Sequence, residues 1–365
     1  MTQREREIYE IIRDMPMIEQ SEIAQKLNIT RSSVAVHITN LQKKGYILGR
    51  GYLLKEQDYI MGIGAANVDI HGMSKKSIIL RDSNPGNMNS SAGGVTRNVS
   101  DNLARLGASV RLITALGDDI YADQIRNECN AAGIDFSHSM VVEKHPSSTY
   151  ISILDENGDM FVAMSDMSVL QRMSMEFLKT KSGIISGAKF ITCDAGLPEE
   201  VLEGILDVYG SQTPVFIDPV SCTYAEKLKP IIGKVDTLKP NRMEMEVISG
   251  IKIENDTDLE RASDVLLEKG LKHVYVSLGA DGCFYMNRDG VKMKRALKPL
   301  DQMVNATGGG DAFMAAVLYA RLLDFNVDET VDFALGAGVA AITYKGTINP
   351  NMSVNMIEKI LEERK

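Results

Sequence analysis

From residue 59 onward, short apolar runs alternate with longer segments of helical periodicity, and this alternation restricts the possible folds more than any other feature. Strands are predicted at 59–64, 110–115, 149–154, 160–164, 189–193, 214–218, 235–238 and 273–278. Helices are predicted at 95–106, 120–132, 173–181, 198–209, 241–249, 256–269, 309–323, 327–343 and 352–364. Strands and helices that alternate in this way form a parallel sheet with helices on both faces. We therefore predict a three-layer α/β fold whose ligand site lies at the carboxyl ends of the strands.

Two segments interrupt the alternation, at residues 69–92 and 139–166. Both contain short strand patterns and turn residues, such as Asn84-Pro85-Gly86 in the first segment. Two insertions of strand character can pair into one small sheet, which would cover the site as a lid and exclude water from it. The alternative is that they are two ordinary surface loops.

The most informative local motif is a run of three glycines, Gly308, Gly309 and Gly310, that ends in Asp311 and opens a helical pattern. Such a turn exposes backbone N–H groups at the positive end of a helix, where phosphate oxygens bind. Asp311 would lie beside the phosphate, as a general base for an attacking hydroxyl does. An ordinary aspartate has a pKa near ~3.9, so it would be charged at neutral pH. The alternative is a glycine-rich loop whose acid only caps the next helix.

Two further motifs point to a site for a sugar. Asp69 follows the first strand of the large module and has two carboxylate oxygens to accept hydrogen bonds from adjacent hydroxyls. On its own it could equally be a turn or cap residue. The pair Gly93-Gly94 lets the backbone approach a ligand closely, and Asn98 lies one helical turn later, where it can bind a hydroxyl. Arg97 is assigned no role beyond that of a solvated helix residue.

Two motifs point to a nucleotide site. Asn241 and Glu244 are three residues apart, hence on one face of a starting helix. An amide and a carboxylate suit a hydrated Mg²⁺, which takes few protein ligands and keeps its waters. The alternative is an ordinary capping pair with Asn241 as the N-cap. Ser277, Gly279 and Gly282 form the end of a strand and a tight turn, whose backbone can line a nucleotide or can simply be a hairpin turn.

Absent motifs exclude several other classes of protein. The sequence contains no G-x-x-x-x-G-K-[ST] motif, which disfavours a P-loop kinase, and no protein-kinase motif set. The four cysteines lie far apart without a C-x-x-C pair, and the five histidines form no metal-binding cluster. We expect buried free thiols in a reducing cytoplasm. There is neither a run of 18 apolar residues nor a signal peptide, so no membrane association is expected.

Charge divides the chain into two modules. Residues 1–55 contain nine Lys or Arg and six Asp or Glu, a net charge of +3, and since the whole chain carries −9 the rest carries −12. This predicts an N-terminal module at 1–55 and a large module at 56–365, joined by a linker at 55–58. The first module is predicted to contain helices at 3–14, 20–27 and 31–43, with Ser21 and Thr30 as N-caps of the last two, and a hairpin at 45–54.

Three helices followed by a hairpin resemble the winged helix-turn-helix of bacterial transcription regulators. The resemblance implies that the third helix enters the major groove of DNA and that Arg50, in the wing, contacts a phosphate or the minor groove. The residues of the third helix implied to face DNA are Arg31, Ser32, Ser33, His37 and Asn40. The alternative is a helical appendage for oligomerisation, and the slight basic excess implies a modest electrostatic affinity for DNA.

The order and spacing of the five motifs in residues 58–365 resemble the ribokinase-like (PfkB) carbohydrate and nucleoside kinases. The resemblance implies that Asp311 is the catalytic base, that the amides of Gly308, Gly309 and Gly310 form an anion hole, and that Asn241 and Glu244 organise Mg²⁺ through water. The residues implied to bind ATP are Asn241, Ser277, Gly279, Gly282, Asn305 and Thr307. The residues implied to bind the acceptor are Asn67, Asp69, Gly93, Gly94, Asn98, Thr149 and Asp166.

Within that family the chain is most similar to the pseudouridine kinases. The similarity rests on Gly93-Gly94-Val95-Thr96-Arg97-Asn98, on Asn305-Ala306-Thr307-Gly308, on Asp166-Met167 and on the fused N-terminal domain. It implies transfer of the ATP γ-phosphoryl group to the 5′-hydroxyl of pseudouridine, whose base would lie near Asn67, Thr149 and Asp166. A monovalent cation such as K⁺ is a further candidate cofactor, and a homodimer through the lid strands is implied. The alternatives are a kinase for ribose, cytidine or adenosine, and a ligand-sensing transcription regulator built on a kinase fold.

Overall fold

The computed structural model of the protein describes residues 1–16, 18–47, 58–300, 304 and 307–364. They belong to two compact units, Met1–Asp58 and Tyr59–Lys365. Arg50, Asn305, residues 48–54 of the predicted hairpin and residues 55–57 of the predicted linker lie outside the described residues.

The N-terminal unit contains the three predicted helices. They are α1 (Gln3–Asp14), α2 (Gln20–Lys26) and α3 (Arg31–Lys43). Their apolar faces meet in one small core, in which Ile8, Ile23 and Leu41 are fully buried. Each helix is too short to be stable alone in water, so this shared core holds the unit together.

The helix caps of this unit agree with the sequence at one position and differ at another. The Thr30 side chain accepts a hydrogen bond from the Ser33 backbone N–H at 3.2 Å, which confirms it as the N-cap of α3. Ser21 was wrongly predicted as a cap, because α2 begins at Gln20 and Glu19 is its cap residue, without a side-chain hydrogen bond. The Ser21 hydroxyl instead donates to the Glu19 carboxylate at 3.0 Å.

The larger unit contains the strands. They are β1 (Tyr59–Ile63), β2 (Asn67–Ser74), β3 (Gly86–Gly93), β4 (Ser109–Ile113), β5 (Ala115–Leu116), β6 (Met140–Val141), β7 (Thr149–Leu154), β8 (Met160–Asp166), β9 (Phe190–Asp194), β10 (Val215–Asp218), β11 (Thr237–Leu238), β12 (His273–Ser277), β13 (Cys283–Asn287) and β14 (Lys292–Arg295). Its helices are α4 (Val95–Arg105), α5 (Ile120–Ala131), α6 (Met175–Lys179), α7 (Ser182–Ser186), α8 (Glu199–Val208), α9 (Cys222–Ala225), α10 (Arg242–Ser249), α11 (Asp256–Lys269), α12 (Gly309–Leu322), α13 (Val327–Ile342) and α14 (Val354–Arg364).

Eight strands form the main sheet, in the order β4-β1-β9-β10-β11-β12-β13-β14. The first six run parallel, and β13 and β14 are antiparallel additions at one edge. Successive side chains of a strand point to opposite faces, so every residue of β1 is buried between two helical layers. Met61 and Ile63 belong to the core with α6 to α11, whereas Ile60 belongs to the core with α4, α5 and α12 to α14. The predicted three-layer α/β fold is confirmed.

The two insertions pair into a second, four-stranded sheet of order β3-β2-β7-β8. β2 pairs antiparallel with β3 and parallel with β7, and β7 pairs antiparallel with β8. The small sheet of the predicted fold class is therefore present, and its strand β2 begins at Asn67, two residues before the predicted boundary.

The antiparallel strands β13 and β14 were not predicted from the sequence, although the hairpin alternative for Ser277, Gly279 and Gly282 is realised, because that turn joins β12 to the antiparallel β13. The β13–β14 hairpin turns at Asp289-Gly290, where Gly290 has a φ of 84°. A dipeptide of this kind between strand-like runs is the strongest short-range hairpin signal, so the sequence did contain it. Three of the four residues of β14 are lysine or arginine, and charged side chains of this kind keep an edge strand from further pairing.

The described residues also bear on the thiols and on membranes. All four cysteines are free, and Cys129, Cys193 and Cys283 are buried as predicted, whereas Cys222 is half-buried. None of the helices in the described part of the chain is long and apolar enough to cross a membrane.

Candidate active site

The N-terminus of α12 lies in the motif Gly308–Asp311. Gly308 is the cap residue, with a φ of 83°, and a Cβ atom there would collide with the Thr347 carbonyl oxygen, so only glycine fits. The next three residues occupy the first helical turn, where backbone N–H groups have no partner within the helix. This turn therefore presents amide donors at the positive end of the helix dipole.

The Asp311 side chain, in that first turn, is enclosed by charged and polar groups. The Asn98 side-chain amide donates to its Oδ2 atom at 2.9 Å. Burial, reinforced by the negative charge of Asp218, raises the pKa of Asp311 to about 7, while Asn98 and the positive charge of Lys239 oppose the increase. The carboxyl is thus poised to gain or lose a proton near neutral pH, which the ordinary value assumed from the sequence did not predict.

Lys239 supplies a buried positive charge next to the same helix end. It follows β11, and its Nζ atom lies 2.9 Å from Oδ2 of Asp218, the last residue of β10. Burial alone would lower the pKa of Lys239, but the nearby carboxylates, Asp218 foremost, raise it above its ordinary value. A Cβ atom on Gly310 would lie 2.8 Å from the ammonium, which places the charge against the first turn of α12. Neither Lys239 nor Asp218 was singled out from the sequence, although Asp218 ends one predicted strand and Lys239 directly follows another.

Asp194, the last residue of β9, ties two loops together at the same edge of the sheet. It is fully buried and accepts hydrogen bonds from the Thr96 hydroxyl at 2.5 Å, from the Ala65 N–H at 2.7 Å and from the Gly196 N–H at 2.9 Å. Burial raises its pKa despite these donors. With three fixed partners, Asp194 serves to hold the loops in place.

A second group of motif residues surrounds Asp69. The Asn67 side-chain amide donates to Oδ1 of Asp69 at 2.6 Å, and Asn67 is paired with Gly93 across the small sheet. A Cβ atom on Gly93 would collide with the Asp69 carboxylate, so any larger residue here would displace that carboxylate. Burial raises the pKa of Asp69 above its ordinary value, and the Asn67 hydrogen bond opposes this.

One short segment, residues 93–98, contacts both carboxylates. Gly93 packs against Asp69, and Asn98 binds Asp311. Between them, Gly94 adopts a φ of 96°, and its carbonyl oxygen accepts the Asn98 backbone N–H at 2.8 Å. The structure thus brings together the sugar motif and the glycine-rich motif, which are far apart in the sequence.

Asn241 and Glu244 form a reciprocal cap at the start of α10. The Glu244 N–H donates to Asn241 Oδ1 at 2.9 Å, and the Asn241 N–H donates to Glu244 Oε2 at 2.8 Å. The capping alternative is therefore realised. Glu244 is nevertheless buried, and burial, with a contribution from Asp218, raises its pKa. Across the described residues, no group of three or more His, Cys, Asp or Glu side chains is arranged to hold a metal ion.

The turn after β12 lies beside this cap. Ser277 donates its backbone N–H to the Pro240 carbonyl at 2.9 Å and forms a parallel bridge with Asn241. Gly279 and Gly282 both have positive φ, 63° and 83°, in the turn that leads into β13. These residues therefore form one continuous backbone surface, at the edge where the motif Asn241–Glu244 begins. Thr307, the last residue before the cap of α12, is exposed.

Thr149 and Asp166 are not brought together with Asp69. They face each other across β7 and β8, and Thr149 pairs with Val68 on β2, so the register places both on the face opposite to Asp69. Tyr150, one residue further along β7, is paired with Asp69 and shares its face. Sequence inspection missed Tyr150 because only the strand register decides which face a residue occupies.

In the N-terminal unit, α3 carries the residues that were implied to contact DNA. Arg31 and Ser32 are exposed, whereas Ser33, His37 and Asn40 are half-buried. The hydroxyl of Thr30 lies 2.9 Å from those of both serines, so the serines are partly engaged within the helix start.

Comparison with known proteins leads to the same family that the motifs of the site resemble. Residues 57–354 match the sequence profile of the pfkB family carbohydrate kinases, and residues 1–47 match that of winged helix-turn-helix DNA-binding domains. The chain is 33% identical over 355 residues to an uncharacterised sugar kinase of Escherichia coli strain K12, covering 97% of this chain and 98% of the relative. It is 34% identical over 310 residues to the pseudouridine kinase of the same strain, covering 85% of this chain and 98% of the relative.

A solved structure extends the similarity to the fold. The crystal structure described as that of a sugar kinase from Clostridium perfringens superimposes with a TM-score of 0.77 at 34% identity, covering 85% of this chain and 97% of that chain. The profile match, the curated relatives and the shared fold lead to one conclusion: this chain belongs to the pfkB family of carbohydrate kinases, and a winged helix-turn-helix domain precedes its kinase fold.

Proposed function

We propose that the protein phosphorylates the 5′-hydroxyl of pseudouridine with ATP. The observation that carries the proposal is the segment at 93–98, whose contacts link a candidate sugar-binding carboxylate, Asp69, to a candidate base, Asp311. The choice of pseudouridine over other acceptors is supported by the 34% identity to a pseudouridine kinase.

In the proposed reaction, Asp69 accepts hydrogen bonds from the ribose hydroxyls, and Asn98 fixes the sugar against the start of α4. Asp311 takes the proton of the attacking 5′-hydroxyl as the bond to phosphorus forms. Lys239 and the exposed amides at the start of α12 balance the negative charge on the transferred group. Most of the rate acceleration then comes from alignment and charge balance.

The residues near α10 fit a hydrated Mg²⁺. Only one oxygen of Glu244 is used in the cap, and burial raises the pKa of Glu244, with a further contribution from the negative charge of Asp218. A cation held through water would relieve the repulsion between these two carboxylates, and Mg²⁺ tolerates a site with few direct protein ligands. When bound with ATP, Mg²⁺ neutralises charge on the phosphates. Asn241 and Glu244 are the residues we assign to it.

A panel of acceptors tests this function. Pseudouridine, uridine, cytidine, adenosine and ribose are each incubated with ATP and Mg²⁺, ADP formation is followed, and the phosphorylated product is identified by mass spectrometry. We expect pseudouridine to have the highest kcat/KM, by at least about tenfold. A different preferred acceptor would overturn the choice of substrate. An absence of ADP formation with every acceptor would overturn the kinase proposal itself.

We also propose that residues 1–55 bind DNA and that residues 56–365 form the kinase, with 69–92 and 139–166 as its lid. The winged helix-turn-helix match over residues 1–47 supports the first assignment. The retained Asp311 argues against a kinase fold that has become only a sensor, since a sensor needs no base. Both activities can coexist, with nucleoside occupancy changing DNA affinity.

We further propose a homodimer through the small sheet. Every residue of its edge strand β8 is exposed, including the apolar Met160, Phe161 and Met164. An exposed apolar edge strand invites aggregation unless another chain covers it. A second copy of the same chain is the simplest partner that would cover it.

A further inference from the structure

Arg97 is buried in a cluster of charges beside the candidate active site. It is 2% exposed, and its Nη2 atom lies 2.8 Å from Asp101 and 3.5 Å from Glu128. Asp101 is paired a second time, because Arg105 Nε lies 2.5 Å from its other oxygen. The expectation that Arg97 is solvated is therefore wrong. Burying an ion pair costs desolvation energy and often adds nothing to stability, so stability alone does not account for the burial of Arg97.

The other terminal nitrogen of Arg97 makes contacts that indicate a second role. Its Nη1 atom donates to the Ala92 carbonyl at 3.3 Å and to the side-chain oxygen of Asn98 at 3.3 Å. A guanidinium has only donors, so it accepts just one orientation of the Asn98 carboxamide, the one with oxygen toward Arg97. The NH₂ group is then turned away from Arg97, and it donates to Asp311 at 2.9 Å.

We propose that Arg97 is a positioning residue, which locks the Asn98 carboxamide in the orientation that donates a hydrogen bond to Asp311. Without this contact the carboxamide can also turn its oxygen toward a protonated Asp311 and accept the hydrogen bond of the acid, which favours the protonated form of Asp311. The inference rests on the proposed function of Asp311 as the base, but the contacts themselves do not depend on the identity of the acceptor.

The orientation of the Asn98 carboxamide affects the proton affinity of Asp311. The Asn98 hydrogen bond and Lys239 lower its pKa, while burial, Asp218 and Asp194 raise it. Loss of the Asn98 donation would raise the pKa further, by about one unit for a hydrogen bond to a charged group. Less of the base would then be ionised at neutral pH.

The test measures the titration of Asp311 in the free protein, by the pH dependence of ¹³C carboxyl shifts, with Asp311→Asn to assign the signal. We compare Arg97→Met with Arg105→Met, which removes a partner of the same Asp101 but leaves the Asn98 contact intact. We expect the midpoint to rise by about one pH unit in Arg97→Met and to stay unchanged in Arg105→Met. Equal shifts in both variants, or none in either, would overturn the proposal.

A double-mutant cycle separates positioning from a general structural effect. Asn98→Ala alone should raise the midpoint by a similar amount, and adding Arg97→Met should then have no further effect, because Arg97 acts through Asn98. Additive shifts would contradict this. If Arg97→Met does not fold, Arg97→Lys keeps the charge beside Asp101 but lacks the planar fork, and it should produce the same upward shift.

Because this titration needs no acceptor, it remains informative even if the acceptor panel fails. With an active acceptor, the expected kinetic result is a kcat about fivefold lower at pH 7 in Arg97→Met, since the ionised fraction falls from about one half to about one tenth. The kcat should recover at pH 9, and the KM for ATP should not change.

Discussion

The side-chain amide of Asn98 donates to the carboxylate of Asp311 at 2.9 Å, although 213 residues separate them in the sequence. The bond connects the start of α4 to the start of α12, two helices of the same layer. Since Asn98 belongs to the segment that contacts Asp69, the hydrogen bond joins the two halves of the candidate site. A change in either half should therefore affect the other.

Replacing Asp311 by Asn tests its role as the base. Asn has nearly the same shape but cannot accept the hydroxyl proton, so kcat should fall by about 10²–10⁴-fold. ATP affinity, measured by calorimetry, should change little, because the amides of α12 are untouched. Turnover within a few-fold of the unchanged protein would reject the role.

The same variant should be more stable than the unchanged protein at alkaline pH. The Asp311 pKa is raised from 3.8 to about 7, so between these values the folded protein holds a proton that the unfolded chain has released. Stability therefore falls as pH rises through this window and levels off above it, by about 4 kcal/mol in total. The carboxamide that replaces the carboxyl does not ionise, so the Tm of the variant without ligands should exceed that of the unchanged protein by roughly 5–10 °C at pH 8.

Near pH 4 the unchanged protein and Asp311→Asn should have Tm values within about 2 °C of each other, because the Asp311 carboxyl is protonated in the folded protein at that pH. A variant that is less stable than the unchanged protein at pH 8 would show that the buried carboxyl is better accommodated than its raised pKa indicates.

The sequence predicted the framework of the site better than its electrostatics. Apolar periodicity located all six parallel strands of the main sheet, because burial on both faces of a sheet leaves a strong pattern. Asp311 stood out because three glycines precede it at the start of a helical pattern, and Asp69 because it follows the first strand and has two oxygens that can accept hydrogen bonds. Arg97 and Lys239 did not, because a charged side chain is normally solvated, and only the packed structure shows what pairs it.

Strand register explains why Thr149 and Asp166 do not share a face with Asp69. Thr149 and Asp166 were assigned with Asp69 to the acceptor site from the resemblance to the pseudouridine kinases, but a shift of one residue along a strand moves a side chain to the opposite face. The pairing of β2 with β7 places Tyr150 on the Asp69 face instead. No local pattern in the sequence specifies that pairing, since it depends on contacts between distant segments.

Replacing Gly93 by Ala should damage acceptor binding selectively. The added Cβ would collide with the Asp69 carboxylate and push it out of place. We expect the KM for the acceptor to rise by about tenfold or more, with the KM for ATP unchanged. Gly183→Ala is the matched control, because a Cβ atom there would have no neighbour within 4 Å. An unchanged acceptor KM in Gly93→Ala would remove Asp69 from the acceptor site.

Replacing Met164 by Glu tests the proposed dimer. Met164 is 73% exposed on β8, and a charge there would be buried in the interface at a cost of about 3 kcal/mol. Sedimentation equilibrium should then show a dimer dissociation constant raised by roughly 100-fold. Leu323→Glu, at an exposed apolar residue just after α12, should have no effect. A protein that is monomeric before mutation would disprove the dimer.

Replacing Arg31 by Ala tests DNA binding by α3. Arg31 is exposed at the first position of that helix, where a phosphate or base contact is expected. With a mixed-sequence duplex and fluorescence anisotropy, affinity should fall, and the slope of log K against log salt should decrease in magnitude by about 0.9 for one lost phosphate contact. Arg13→Ala, which removes the same charge from the end of α1, is the control. Equal losses of affinity in both variants would indicate only an effect of net charge. Coupling between DNA binding and catalysis requires a further result: pseudouridine and ATP must change the DNA affinity at fixed salt.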